Sequence, residues 1–458
     1  MVKIGYGKEI VTPPIGSGMI GYFEDRISKG VKDDLYARSL CLNDKDNCVF
    51  VVSSDFCWIE PSVVENVKKM ISEKLKIEKP NLVIHATHTH TGPLTGFNKD
   101  IIYTEKIKVD EKYIENLPSM IFKAIEQSYR SLQNVFVGFG SCNVSGISFI
   151  RRYKMKNGMV ITNPVDRTQI VEPSGEIDQT LNVMKIVDEK NRLIGVAMNF
   201  PLHPDTIGGD LISGDWPGML VEKVSKEFHC EAIFFNGAAG DINHINPFDS
   251  QTRSPQITEK IASTIFDSVR NMLPEIKCFS VNNIVFSQDV FKLPKRKISE
   301  KDIEQAKKDI EKYSPSNLRY MVANALLMQA RIKGDTIDNP VALLTLDNKM
   351  GAFFLSGELF SSIGLKIKNI MDVEYKWIIE NCNGFAGYIP DEEAFAAAEE
   401  NKRIRGEEFP DVDVLESIGM EASYETSPIS CRVAPEAEKE LISQFKKLWS
   451  RHRTMNSG

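Results

Sequence analysis

Three of the seven histidines in this 458-residue chain fall within six positions: His85, His88 and His90 of the segment HATHTHTGP. In an extended chain residues two apart share a face, so His88 and His90 point one way and His85 the other. Two imidazoles at a strand end can supply a metal ligand and a neighbouring acid–base or supporting group, although an isolated H-x-H also fits two hydrogen-bonded loop residues. His85, on the opposite side, reads as structural. The next histidine, His203, lies in NFPLHPDTIGGDLISGDWPG, a loop dense in turn residues, where Asp205, Asp210 and Asp215 offer carboxylates. A surface turn with a satisfied histidine is the plainer reading of it. In FFNGAAGDINHINP, Asn236, Asp241 and Asn243 could bind polar groups of a substrate or a second metal, and His244 reads as a loop residue. Glu358 in AFFLSGELFSS could complete a His/His/Glu set that leaves zinc an open position for water, or could be a carboxylate favoured by a helix N-terminus. Tyr388, near Gly387 and Pro390, reads by itself as packing. No GxSxG, P-loop, HExxH or GxGxxG pattern occurs, so serine chemistry and nucleotide binding lack a signal.

These groups need strands to hold them, and the apolar runs supply candidates. Cys48–Ser53 and Asn81–Ala86 predict buried strands, Pro61 predicts a helix start, and Val109–Leu132 predicts a long helix. Leu193–Phe200, a helix over Met219–Phe228 and Ala232–Phe235 repeat the alternation. Phe279–Leu293 reads as a half-buried strand, and Ser299 with Asp302 opens a helical pair running to Ile332, an insertion of about 297–335. Val341–Leu346 and Gly351–Leu355 predict a hairpin, Ser356–Ile370 a helix, and Asn381–Thr426 an irregular stretch. The expected fold is α/β, with a mixed, largely parallel central sheet flanked by helices and an irregular C-terminal part. No repeat of 20–50 residues and no long linker is visible, so one domain over residues 1–458 is expected.

Lys and Arg number 56 against 63 Asp and Glu, a net charge of −7 without a basic block, which argues against nucleic acid or an anionic membrane as the main partner. No run is long and apolar enough for a membrane span, and the start lacks a secretory pattern. The eight cysteines form no CxxC, so a cytoplasmic, reducing location is expected and any metal must rely on imidazole and carboxylate.

Taken in order, the motifs resemble the catalytic domain of the neutral/alkaline, non-lysosomal ceramidase family. GYGKEIVTPPIG and DDLYARSLCL are similar to that family's opening, HATHTHTGP to its T-H-T-H-S-G-P, and LISGDWPG to its L-I-S-G-D-x-x-G. FFNGAAGDINHINP, LSGELFSSIGLKI and GFAGYIPDEEAF through SYE follow in the family's order, with the helical insertion unmatched. The resemblance implies zinc bound by His88, His203, Glu358 and Tyr388, with His90 and the Arg151/Arg152 pair beside it. It implies a zinc-dependent hydrolase of an amide or N-acyl bond. In that mechanism Tyr388 and Arg151 or Arg152 stabilise the oxyanion, and His90, with Asp215 as the other candidate, moves the proton. A soluble ester or lactone as substrate, and a metal-binding homologue without turnover, stay open as alternatives. The family's Ser-bearing segment has no counterpart in Phe248–Pro255, and neither a secretory signal nor a C-terminal immunoglobulin-like domain is expected. The expected substrate is therefore a small N-acylated molecule in a polar pocket, with long-chain ceramide a poor one.

Overall fold

The computed structural model describes residues 1–22, 25–45, 47–96, 109–249, 254–405 and 424–455. Its architecture is one supersecondary pattern used three times. In the first unit Lys3–Ile10, Tyr36–Asn43 and Cys48–Ser54 pair antiparallel, helix Pro61–Leu75 crosses over, and Asn81–Ala86 returns parallel to Cys48–Ser54. Helix Glu111–Arg130, capped by the Asp110 side chain on Tyr113 N–H, then packs across the first strand. Gly7 permits that approach, since a Cβ there would lie 2.1 Å from the Ala124 carbonyl oxygen.

The second unit repeats this order with Phe136–Asn143, Thr180–Val187 and Leu193–Phe200, helix Asp215–Phe228, parallel strand Glu231–Asn236 and helix Pro255–Met272. The third uses Ile284–Pro294, Thr336–Leu346 and Met350–Leu355, helix Ser361–Ile370, parallel strand Tyr375–Ile379 and helix Ala437–Met455. The helical pair Glu300–Lys312 and Leu318–Arg331 is inserted between its first two strands, opened by a Ser299/Asp302 capping box as the sequence predicts.

The fold is α/β and mixed, but its sheets are not largely parallel. Each of the three has one parallel pair and is otherwise antiparallel. Only the third-to-fourth strand connection passes through a crossover helix, and only there does the chain return in the same direction. A second correction concerns Asn381–Thr426, where helix Glu392–Arg405 interrupts the expected irregular stretch. Residues 406–423 of it, like residues 250–253 of Phe248–Pro255, lie outside the described residues.

The inner faces of all three sheets meet in one apolar core, represented by Leu40, Val51, Met184, Phe235, Leu344 and Trp377. Helices cover the outer faces through separate apolar clusters. Strand ends from three sheets are thereby brought to one place. Among the described residues no helix is long and apolar enough to cross a membrane.

Candidate metal centre

Each sheet delivers one side chain to the same point. His88 lies two residues past strand Asn81–Ala86, His203 three past Leu193–Phe200, and Glu358 three past Met350–Leu355. Glu358 Oε2 is 3.2 Å from His88 Nε2 and 3.1 Å from His203 Nε2, and all three side chains are buried. The far nitrogens are committed elsewhere. His88 Nδ1 is 2.8 Å from the Cys57 carbonyl oxygen, and His203 Nδ1 lies 2.8 Å from that of Ala239 and 3.0 Å from that of Ile242. A carbonyl only accepts, so Nδ1 carries the hydrogen in both rings and, in the neutral form, Nε2 presents a lone pair.

Two imidazole lone pairs and a carboxylate oxygen therefore converge, an arrangement that a cation satisfies. The charges of the three groups are complementary. Although burial opposes charge on His88, the Glu358 carboxylate holds its pKa well above the usual value. Although burial also opposes the Glu358 carboxylate, the two imidazoles hold its pKa well below the usual range. Burial lowers the pKa of His203.

Two further groups reach the centre. The Tyr388 hydroxyl is 3.3 Å from His203 Nε2, and Tyr388–Ile389 pairs parallel with Glu358–Leu359. Burial raises the Tyr388 pKa well above the usual phenol value. His90 Nε2 is 3.2 Å from His88 Nε2, its Nδ1 is 4.0 Å from Asp205, and burial pushes its pKa well below the usual value. The Tyr22 hydroxyl donates to Asp205 and the Tyr22 ring meets His90 edge-on. His85 points away, with Asn236 N–H donating to its Nε2 and Ser53 Oγ against its Nδ1. Burial drops its pKa to about 3, as befits a neutral structural ring.

The remaining expected residues divide. Arg151 donates from Nε to Glu425 at 2.8 Å and from Nη2 to the Gly240 carbonyl at 2.8 Å, and its guanidinium lies 5.2 Å from the Tyr388 ring centre. Arg152 stands over Phe360 with its Nε 3.7 Å from Glu425 Oε2. Asp241 accepts from Ser361 N–H, three residues beyond Glu358, while its Oδ2 is buried without a hydrogen-bond partner. Asn236 accepts from Leu202 N–H, and Asn243 bonds Asn163 and Ile245, so these contacts brace the loop. Among the described residues no hydrogen bond or ion pair joins the Asp215 carboxylate to a histidine. That carboxylate takes the N–H groups of Thr206, Ile207 and Trp216 and the Thr206 hydroxyl, which folds the 205–215 loop.

Two contributors escaped the sequence reading. Glu425 holds Arg151, and the SYE triplet that contains it was the available signal. Cys57 lies three residues past its unit's third strand, the position of His203 and Glu358 in theirs, and forms with His88 and His90 a second group close enough to share an ion.

Comparison with known proteins places this geometry in context. A family model for the N-terminal part of neutral/alkaline non-lysosomal ceramidase matches residues 2–244. The neutral ceramidase of Pseudomonas aeruginosa is 24% identical over 269 residues, which cover 54% of this chain and 39% of that protein. A crystal structure of neutral ceramidase from Pseudomonas aeruginosa aligns with a TM-score of 0.70 at 16% identity, covering 98% of this chain and 75% of that one. A ceramidase complexed with C2 aligns with the same TM-score of 0.70 at 15% identity over 99% and 75% of the two chains. At these identities the structural likeness speaks for the fold.

Proposed function

Because the chain belongs to the neutral/alkaline non-lysosomal ceramidase family, we propose that it hydrolyses the amide bond of an N-acylated amine with zinc held by His88, His203 and Glu358. The observation that carries this reading is the contact of one buried carboxylate oxygen with two Nε2 atoms whose opposite nitrogens donate to backbone carbonyls. Two imidazoles and one carboxylate suit zinc better than calcium or magnesium. Zinc in such a set supplies Lewis acidity and lets water lose its proton near pH 7.

The chain's own groups do the rest. The Tyr388 hydroxyl, 3.3 Å from His203 Nε2, stands beside the set, where it would donate to the substrate carbonyl oxygen as charge develops there. Arg151, fixed by Glu425 and Gly240, lies over the Tyr388 ring and adds positive potential on that side. His90 is neutral, with Nε2 facing the centre, and takes the proton of the attacking water and passes it to the leaving amine. Ile20, Trp58 and Leu94, with Phe385 stacked on Trp58, form a small apolar cluster that includes Cys57, whose Sγ is 3.7 Å from His88 Nδ1. That wall suits the acyl chain.

The test is metal analysis of the purified protein together with amine release from a panel of N-acyl substrates, before chelation, after it, and after zinc is restored. Zinc near one per chain and turnover that follows it are expected. Undiminished turnover by chelated protein that holds no metal would sink the reading.

A further inference from the structure

The two adjacent arginines are unequally supplied. Glu425, itself fully buried, receives Arg151 Nε at 2.8 Å and the Thr162 hydroxyl at 2.8 Å on its other oxygen. Arg152 Nε stands 3.7 Å from that second oxygen, outside hydrogen-bond range. Yet Arg152 is only 4% exposed. Its guanidinium is paired with Glu425 by charge alone and, among the described residues, makes no side-chain hydrogen bond, which leaves its donors for a partner that arrives from outside.

The guanidinium of Arg152 stands over the Phe360 ring, one residue before the Ser361 N–H that Asp241 Oδ1 accepts. On the main-chain side the Arg152 carbonyl accepts from Ser174 N–H, and the next residue, Gly175 (φ +137°), faces Asp241, where a Cβ would lie 3.3 Å from Oδ2. That Oδ2 is the buried oxygen without a hydrogen-bond partner. The spot adjoins the metal centre. The loop bearing Asp241 also supplies the Ala239 and Ile242 carbonyls that hold His203, and Asp241 Oδ1 accepts from Ser361, just past Glu358.

We propose that Arg152, with Asp241 beside it, is a carboxylate-binding subsite next to the catalytic centre, so that the preferred substrate is an N-acyl amino acid. This rests on the amide-hydrolase reading above and names its substrate class. The planar guanidinium fork matches a carboxylate in two parallel hydrogen bonds. One unspent cation balances the single charge of a carboxylate, whereas a phosphate monoester needs more, and Arg151 is already engaged. Burial pushes the Asp241 carboxyl up to about 7, so below that pH Oδ2 can carry a proton and donate it to the bound carboxylate.

The experiment compares N-lauroylglycine with N-lauroylglycinamide, which differ only in that charge, on the zinc-loaded full chain. Release of glycine or glycinamide gives kcat/KM, and calorimetric titration gives binding. The wild type is expected to favour the acid by roughly 10–100-fold, the worth of hydrogen bonds to a charged group. Arg152→Gln should bring the ratio of the two substrates near one, and Arg152→Lys should restore part of it, with zinc content and melting temperature measured for each variant. Equal binding and turnover of acid and amide by the wild type overturns the subsite, a result that needs no variant to fold. A wild type that binds the acid preferentially, loses that preference in Arg152→Gln and hydrolyses neither compound keeps the subsite and overturns the hydrolase reading instead.

Discussion

Asp241→Asn should remove a pH dependence of stability that can be sized from the fold. The wild-type carboxyl is 1% exposed, accepts one backbone N–H and leaves Oδ2 unpartnered, and burial, reinforced by Asp391, lifts its pKa from 3.8 to about 7 against the pull of Arg152 and Arg151. A folded pKa above the unfolded one means that the folded state holds the proton more tightly. The contribution is complete below the unfolded value and is lost as pH rises toward the folded value. At about 1.4 kcal/mol per pKa unit, the span between 3.8 and about 7 amounts to about 4 kcal/mol, of which about 3 kcal/mol falls between pH 5 and pH 8. Asparagine cannot titrate but keeps an oxygen for Ser361 N–H and adds a donor at the Oδ2 position. Urea unfolding of both proteins at pH 5, 6, 7 and 8 isolates this group, because every other titration is common to the pair. The variant should gain on the wild type by about 3 kcal/mol across that range. A difference that stays flat within about 1 kcal/mol, or that moves toward the wild type, refutes the assignment of a raised pKa to Asp241.

His203→Ala should abolish tight zinc binding, since it deletes one of three converging donors, and full zinc occupancy by elemental analysis would reject this ligand set. His90→Ala should lower kcat by roughly 10²–10⁴ while metal content stays intact, and loss of the metal would make His90 a ligand instead. Glu425→Ala should cost roughly 3–5 kcal/mol in urea unfolding, because it strands the hydrogen-bonded Arg151 in the interior. A loss below about 1 kcal/mol would mean that water or another group replaces the carboxylate.

Much of what positions the centre is local and therefore legible in the sequence. Apolar runs bounded by turn residues place strands Asn81–Ala86 and Leu193–Phe200 at their observed limits, so His88 and His203 are recognisable as residues just beyond a strand end. Period-two alternation holds only to Ala86: His85, inside the strand, turns toward Ser53 and Asn236, whereas His88 has a left-handed backbone (φ 72°) and its direction is set by the loop. Ser299 and Asp302 announce the inserted helical pair because a capping box lies within four consecutive residues.

Tertiary structure alone decides which strand ends meet and what each side chain then faces. Strand direction is set by pairing between distant segments, as when Gly7 lies opposite Ser39, and no residue pattern within a strand encodes it. The three units share an order of elements rather than of side chains, so their repetition leaves no periodic trace. Asp215 and Asp241 look alike in sequence, each following a glycine at a turn. Packing gives Asp215 a ring of backbone donors and leaves Asp241 with one bare oxygen. The Nδ1–H groups of His88 and His203 find carbonyls 31 and 36 residues away, and Arg151 finds Glu425 across 274. The charge and lone pairs of a side chain are written in its residue type, but the partners that direct them are chosen when the three sheets close on their common core.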